Sequence, residues 1–216
     1  MHKKIRLESR RNEVSEIQDN KRIFIAKKFS CQKDFQNEKR VLEILKGKGV
    51  KVPEILGERN RTLYLEHLGS TTLLNWYEKA EAENLSNCTM MISKLAQWLK
   101  SFYGAMLSSS GEQMILDDVN LRNFIIHDDE IYGIDFELCS KGRIERDAGR
   151  IAAYILTYEP PFTPWKVSFR NIAVKTLAKE LNLDVLNILS EEDKEIRSME
   201  IRRNVSFRCY RNIDVK

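Results

Sequence analysis

Two periods of apolar and polar residues divide the chain. Over residues 12–17 and 22–29 they alternate, as in half-buried strands. Gln18-Asp19-Asn20-Lys21 between these runs is a turn signal, so the two are expected to pair as a hairpin. Over residues 33–46 the period lengthens. Phe35, Val41, Leu42 and Leu45 fall on or near one helical face, and Gly47 and Gly49 stop that helix. Val52-Pro53-Glu54-Ile55-Leu56 and Thr62-Leu63-Tyr64-Leu65-Glu66 read as two more strands. The remainder is mainly helical. Ile92, Leu95, Leu99, Phe102 and Met106 recur at helical spacing before a polar Ser108-Ser109-Ser110-Gly111 loop. Two short apolar runs, Phe124-Ile125-Ile126 and Ile131-Tyr132-Gly133-Ile134, flank the turn His127-Asp128-Asp129-Glu130 and predict a second, small hairpin. From Asp147 onward about three helices are expected, interrupted by Glu159-Pro160-Pro161 and by Pro164.

A sheet-rich front, one linking stretch over residues 66–70 and a helical back predict an α+β, bilobal fold. The small β-rich N-terminal lobe is expected over residues 1–68 and the helical lobe over 69–216, with a ligand cleft between them. The 216 residues suffice for a real core, and 42% hydrophobic with 31% charged residues is ordinary globular composition. No run approaches the roughly 20 apolar residues of a membrane span, and no apolar signal core follows the basic N-terminus. A cytoplasmic protein is expected. Cys31, Cys88, Cys139 and Cys209 are too scattered for a zinc site or a disulfide framework. A net charge of +4 favours an anionic small ligand and is too modest to argue for nucleic acid.

The chemistry concentrates in Leu116-Asp117-Asp118-Val119-Asn120-Leu121-Arg122-Asn123, followed after the small hairpin by Ile134-Asp135-Phe136-Glu137. Phosphoryl transfer needs a carboxylate to orient a hydroxyl nucleophile and hard oxygen ligands for a divalent cation on the ATP phosphates. An Asp, an Asn five positions on, and an Asp-Phe at the end of a hairpin supply that set. The segment resembles the catalytic and metal-binding loops of the protein-kinase-like superfamily. It is nearer the small-molecule branch of aminoglycoside and choline phosphotransferases and lipopolysaccharide-core kinases.

The resemblance implies ATP and Mg²⁺. It makes Asp118 the catalytic base, and Asn123 and Asp135 the metal ligands. Asp147, in Arg146-Asp147-Ala148-Gly149-Arg150, resembles the buried Asp that steadies the catalytic loop. Phe24-Ile25-Ala26-Lys27-Lys28-Phe29 is similar to the strand bearing the phosphate-binding Lys, and Glu38 to its helix partner. Lys27 is preferred over Lys28 because it shares a strand face with Ile25 and Ile23. Residues 63–69 resemble the hinge, where Glu66 and Leu68 would meet adenine through backbone groups.

The resemblance covers roughly residues 12–158, with three departures. Ser9-Arg10-Arg11-Asn12-Glu13-Val14 stands where a glycine-rich loop is usual, Leu116 stands where a His is usual, and the stretch after Asp135 is short, with no Ala-Pro-Glu. The first expectation is therefore transfer of the γ-phosphoryl group of ATP to a hydroxyl of a small molecule, and after that to a protein Ser/Thr. The alternative is a pseudokinase that binds nucleotide or scaffolds a partner. The arginines at 197, 202, 203, 208 and 211 read as a solvated helix face before they read as an RNA contact. His67 and His127 read as hinge and turn residues, and Trp76, Trp98 and Trp165 as packing. The partners implied are ATP and an unidentified hydroxyl-bearing acceptor, with a protein partner left open.

Overall fold

The computed structural model describes residues 3–207 apart from residues 8, 10, 20 and 21. Asn20 and Lys21 of the expected turn, Arg10, and Arg208, Cys209, Tyr210 and Arg211 lie outside the described residues.

Strands β1 (Lys3–Leu7), β2 (Glu13–Asp19), β3 (Arg22–Lys28), β4 (Ile55–Arg59) and β5 (Thr62–Glu66) form one antiparallel sheet, ordered β1-β2-β3-β5-β4. Helix α1 (Gln32–Gly47) links β3 to β4. Its N-cap is the Cys31 side chain, which accepts from the Asp34 N–H at 3.4 Å, and Gly49 follows its end at φ 72°. The α1 face carrying Val41, Leu42 and Leu45 is buried, as the spacing predicts, and Glu38 is buried with it. Strand β1 was not read from sequence. Every residue in it is exposed, so it leaves no core-facing pattern, and it holds on as an edge strand by pairing with β2. Residues 52–54 are not strand, and β4 starts at Ile55. Pro53 has no N–H for a ladder, and Val52 is buried as loop packing.

The C-terminal part is helical. Helix α2 (Leu73–Ala82) opens with a capping box between Thr72 and Asn75. Helix α3 (Thr89–Ser110) runs through the serines expected as a loop and stops at Gly111, φ 69°. Its Ile92, Leu95, Leu99, Phe102 and Met106 are all buried. Two short pairs follow. Strand β6 (Met114–Ile115) pairs with β9 (Ser140–Lys141), and β7 (Phe124–His127) with β8 (Glu130–Gly133). Asp128 and Asp129 both take positive φ, the primed two-residue turn that suits a tight hairpin. Trp98 stacks on Phe102 at 5.7 Å, and Phe136 stacks on Phe102 at 6.3 Å, which fixes the floor beneath the Asp135 loop. Gly133 is required here, because a Cβ would lie 2.2 Å from the Trp98 ring. Helices α4 (Ile144–Thr157), α5 (Pro164–Leu181) and α6 (Val185–Arg203) complete the described chain. This β-rich front and helical back are a kinase-like α+β fold. No helix among the described residues is long and apolar enough to cross a membrane.

Candidate active site

A cavity of about 580 Å³ opens between the sheet and the helical part. The registers Val14↔Lys27, Glu16↔Ile25 and Ile25↔Leu65 put these residues on one face of the sheet, and that face lines the cavity. Ile23, one pair further along, is 49% exposed and does not join it.

Lys27 is the structural centre. It is 6% exposed, and its Nζ donates to Glu38 Oε2 at 2.8 Å and Asp135 Oδ1 at 2.7 Å. Glu137 Oε2 is 3.5 Å away. Three elements thus meet on one ammonium. Burial alone would depress the Lys27 pKa, but Glu38, Asp135 and Glu137 outweigh it and hold it above the ordinary lysine value. Glu38 also accepts from the Phe136 N–H at 3.1 Å. Its burial pushes its carboxyl up to about 7 against the pull of Lys27, with Asp135 adding to the rise. Lys28 lies outside the group, its side chain 61% exposed and 4.0 Å from Glu13.

Helix α1 grips the Asp135 loop a second way. The Asn37 side chain donates to the backbone carbonyls of Glu137 at 2.9 Å and Cys139 at 3.1 Å. Asn12 supplies a further clasp, donating to Glu137 Oε2 while its own oxygen accepts from the Ser30 N–H at 3.2 Å. Asn12 lies in the stretch that replaces a glycine-rich loop. Neither Asn12 nor Glu137 was given a role from the sequence, although an acid two positions after Asp135 stands in it.

Asp118 and Asn123 line the same cavity from the helical part. Asp118 Oδ1 accepts from the Asn120 N–H at 3.2 Å, an Asx turn that sets the loop. Asn123 Nδ2 donates to the Asp118 carbonyl at 3.2 Å, which leaves its side-chain oxygen as the atom for a ligand. Ile134 N–H donates to the Asn123 carbonyl at 2.9 Å, so Asn123 and Asp135 are tied across the hairpin. Asp117 and Asp135 both take positive φ, 64° and 66°, a conformation Asp tolerates better than most residues.

The loop is held from below. Asp147, fully buried, accepts from Leu116 N–H at 2.8 Å, Asp117 N–H at 3.1 Å and the Tyr103 hydroxyl at 2.9 Å. Burial raises its carboxyl to about 6, and these donors limit the rise. Leu116, standing where a His was expected, is packed in the core and holds the loop by its main chain. Sequence reasoning missed Arg150. Its NH1 donates to both the Asp117 carbonyl and Asp117 Oδ1, the latter at 2.6 Å, while its Nε reaches Glu195 Oε2 of α6 at 3.1 Å.

At the link between the two parts, Glu66, His67 and Leu68 line the cavity. The Glu66 N–H already donates to the Glu54 carbonyl at 2.9 Å and is spent. His67 Nε2 sits 3.3 Å from Glu16 Oε2 across the sheet. His127 faces Asp128 at the hairpin turn, away from the cavity. Trp98 is core, and Trp165 stacks on Phe169 at 5.0 Å. In α6, Arg197 and Arg202 pair with Asp193 and Glu195, and Arg203 donates to the Thr157 carbonyl.

Glu38, Asp135 and Glu137 lie within 4.8 Å of one another around a single ammonium. Three carboxylates against one lysine leave two negative charges uncompensated when all are ionised. A divalent cation fits that deficit, and Asp135 with the Asn123 oxygen is the hard donor set magnesium prefers.

No family model matches the chain, and neither does any curated protein sequence. Solved structures do: 1121 chains match, so the fold is common and names no substrate by itself. One described as WaaP in complex with acyl carrier protein is similar over 94% of this chain and 87% of its own, with a TM-score of 0.59 and 15% identity. The likeness is one of fold, and it extends across both the sheet and the helical part.

Proposed function

We propose that the chain is an ATP-dependent phosphotransferase that delivers the γ-phosphoryl group to a hydroxyl of a small molecule. One observation carries this reading: Lys27 joins Glu38 of α1 to Asp135 of the hairpin loop at the wall of a cavity that also holds Asp118 and Asn123. Lys27, aimed by Glu38, grips the α- and β-phosphates. Glu66 and Leu68 bracket the base. Asn123 and Asp135 would hold Mg²⁺, which when bound neutralises charge on the phosphate oxygens. Asp118 orients the acceptor hydroxyl. The hydroxyl oxygen bonds to the γ-phosphorus, the bond to the bridging oxygen breaks, ADP leaves with that electron pair, and Asp118 takes the proton. The run from Asp135 to the start of α4 at Ile144 is too short for a peptide-docking activation segment, which favours a small acceptor. The likeness to WaaP is one of fold, and that structure's complex with acyl carrier protein makes a protein partner worth assaying.

The test is transfer from labelled ATP to a panel of sugars, aminoglycosides and amino alcohols, with protein substrates alongside. Asp118→Ala should lower transfer by about 10²–10⁴-fold with Mg²⁺-ATP affinity nearly kept. Transfer at the unmodified rate removes Asp118 from its role, and nucleotide binding with no transfer to any acceptor leaves the pseudokinase reading.

A further inference from the structure

The reaction leaves Arg122 unexplained. It sits in the short turn Leu121–Asn123, between the base and the metal-binding Asn, and it lines the same cavity. Its Nε donates to Asn120 Oδ1 at 3.0 Å. That oxygen also accepts from the Arg122 N–H at 3.1 Å and from the Tyr158 hydroxyl at 3.0 Å. Asn120 is itself 9% exposed, so the inner edge of the guanidinium is fixed by a buried network. The outer edge has no protein partner among the described residues.

Its neighbours in sequence make the contrast. Arg143, Arg146, Arg150, Arg170, Arg197 and Arg202 each meet a carboxylate, and Arg203 meets a backbone carbonyl. Arg122 alone among the described arginines of the helical part has neither. Arg122 is exposed, and a guanidinium held at one edge on a residue that lines the cavity can receive a planar or tetrahedral oxyanion through paired hydrogen bonds. Tyr154 closes this end. It lines the cavity from α4 and stacks on Tyr158 at 6.0 Å. Asp118 completes the set.

We propose that Arg122 binds an anionic group on the acceptor, so that the molecule phosphorylated here is an alcohol carrying a carboxylate or a phosphate beside its reacting hydroxyl. This rests on phosphoryl transfer at Asp118. The anion keeps the acceptor oriented while its hydroxyl oxygen bonds to the γ-phosphorus, ADP departs, and the proton goes to Asp118.

The test uses the full chain with Mg²⁺ and a non-hydrolysable ATP analogue, titrated calorimetrically with hydroxy acids and sugar phosphates, each beside its neutral parent; gluconate, glucose 6-phosphate and glucose are one such set. The charged members should bind roughly 10–100-fold more tightly, the size of a charge-assisted hydrogen-bond pair. Arg122→Gln should erase that preference, and Arg122→Lys should keep part of it. The carboxylate and phosphate arms tell which anion is read. Equal binding of charged and neutral members, or a preference that survives in Arg122→Gln, overturns the proposal. Labelled ATP then separates the two readings. Transfer to neutral and charged acceptors at equal rates sinks the anion site and leaves the enzyme standing. A charge preference in binding with no transfer to any acceptor upholds the anion site and sinks the enzyme.

Discussion

Two lysines are buried among the described residues, and their surroundings differ. Lys166 is fully buried in α5. It meets one carboxylate, Glu81 Oε2 at 2.9 Å, and two backbone carbonyls, Tyr158 at 3.0 Å and Pro160 at 2.6 Å. Its charge is matched and its donors are spent, and it lies off the cavity. Lys27 faces three carboxylates and borders the cavity. Burial of a lysine therefore does not by itself distinguish the two places; the surplus of opposite charge beside the cavity does. Lys166 ties α2 to the loop before α5, whereas Lys27 sits among more carboxylates than its single charge can balance.

The comparison breaks first under the same change made in both places. Glu81→Gln leaves a fully buried ammonium without counter-charge and should cost about 3 kcal/mol of stability or more, read as a fall in the denaturant midpoint. Glu38→Gln removes one of three acids around Lys27 and should change stability by about 1 kcal/mol or less, since it relieves excess charge as it removes a bond. Its cost should fall on phosphoryl transfer, by about 10²-fold. If the two variants unfold at similar midpoints, the distinction between the lysines is lost.

Acidity sharpens the contrast next. The Glu38 carboxyl is raised from 4.5 to about 7 in the folded protein. The folded state then holds more protons than the unfolded one between those values, so this group's contribution to stability falls as pH rises through them. Stability measured at pH 5 and at pH 7 should show that loss in the unmodified protein and less of it in Glu38→Gln. An unchanged difference between the two pH values in the variant would assign the effect elsewhere. Asp147, raised to about 6, acts with the same sign from its own lower window and should persist in both proteins. The smallest effect belongs to Lys28→Met. That side chain is 61% exposed beside Glu13, and its loss should move stability by about 0.5 kcal/mol or less and leave ATP use unaltered.

Much of the frame was legible in the chain because local period reports local structure. β2, β3 and β5 alternate, α1 and α3 repeat at helical spacing, and the hairpin Phe124–His127 with Glu130–Gly133 is bounded by its Asp-Asp turn. The failures are equally physical. β1 buries nothing, β6 and β9 are two residues each, and Val52 and Pro53 are buried as loop packing rather than as strand. In the candidate site, spacing exposed Asp118, Asn123 and Asp135 because one loop and one hairpin carry them. Asn12 to Glu137, Arg150 to Glu195 and Lys166 to Glu81 join residues far apart in the chain. No window of sequence contains such pairs, so only the folded path reveals them.

Arg150 has a consequence for how the protein comes into being. It clasps Asp117 with one nitrogen and Glu195 with another, and Arg202 holds Glu195 in turn at 2.6 Å. A nascent chain therefore lacks the α6 end of this clasp until Glu195 has left the ribosome. A message cut short before Glu195 yields a molecule that keeps the Asp147 and Arg150 contacts to the Asp118 loop and, of these ties, loses only the one from Arg150 to α6.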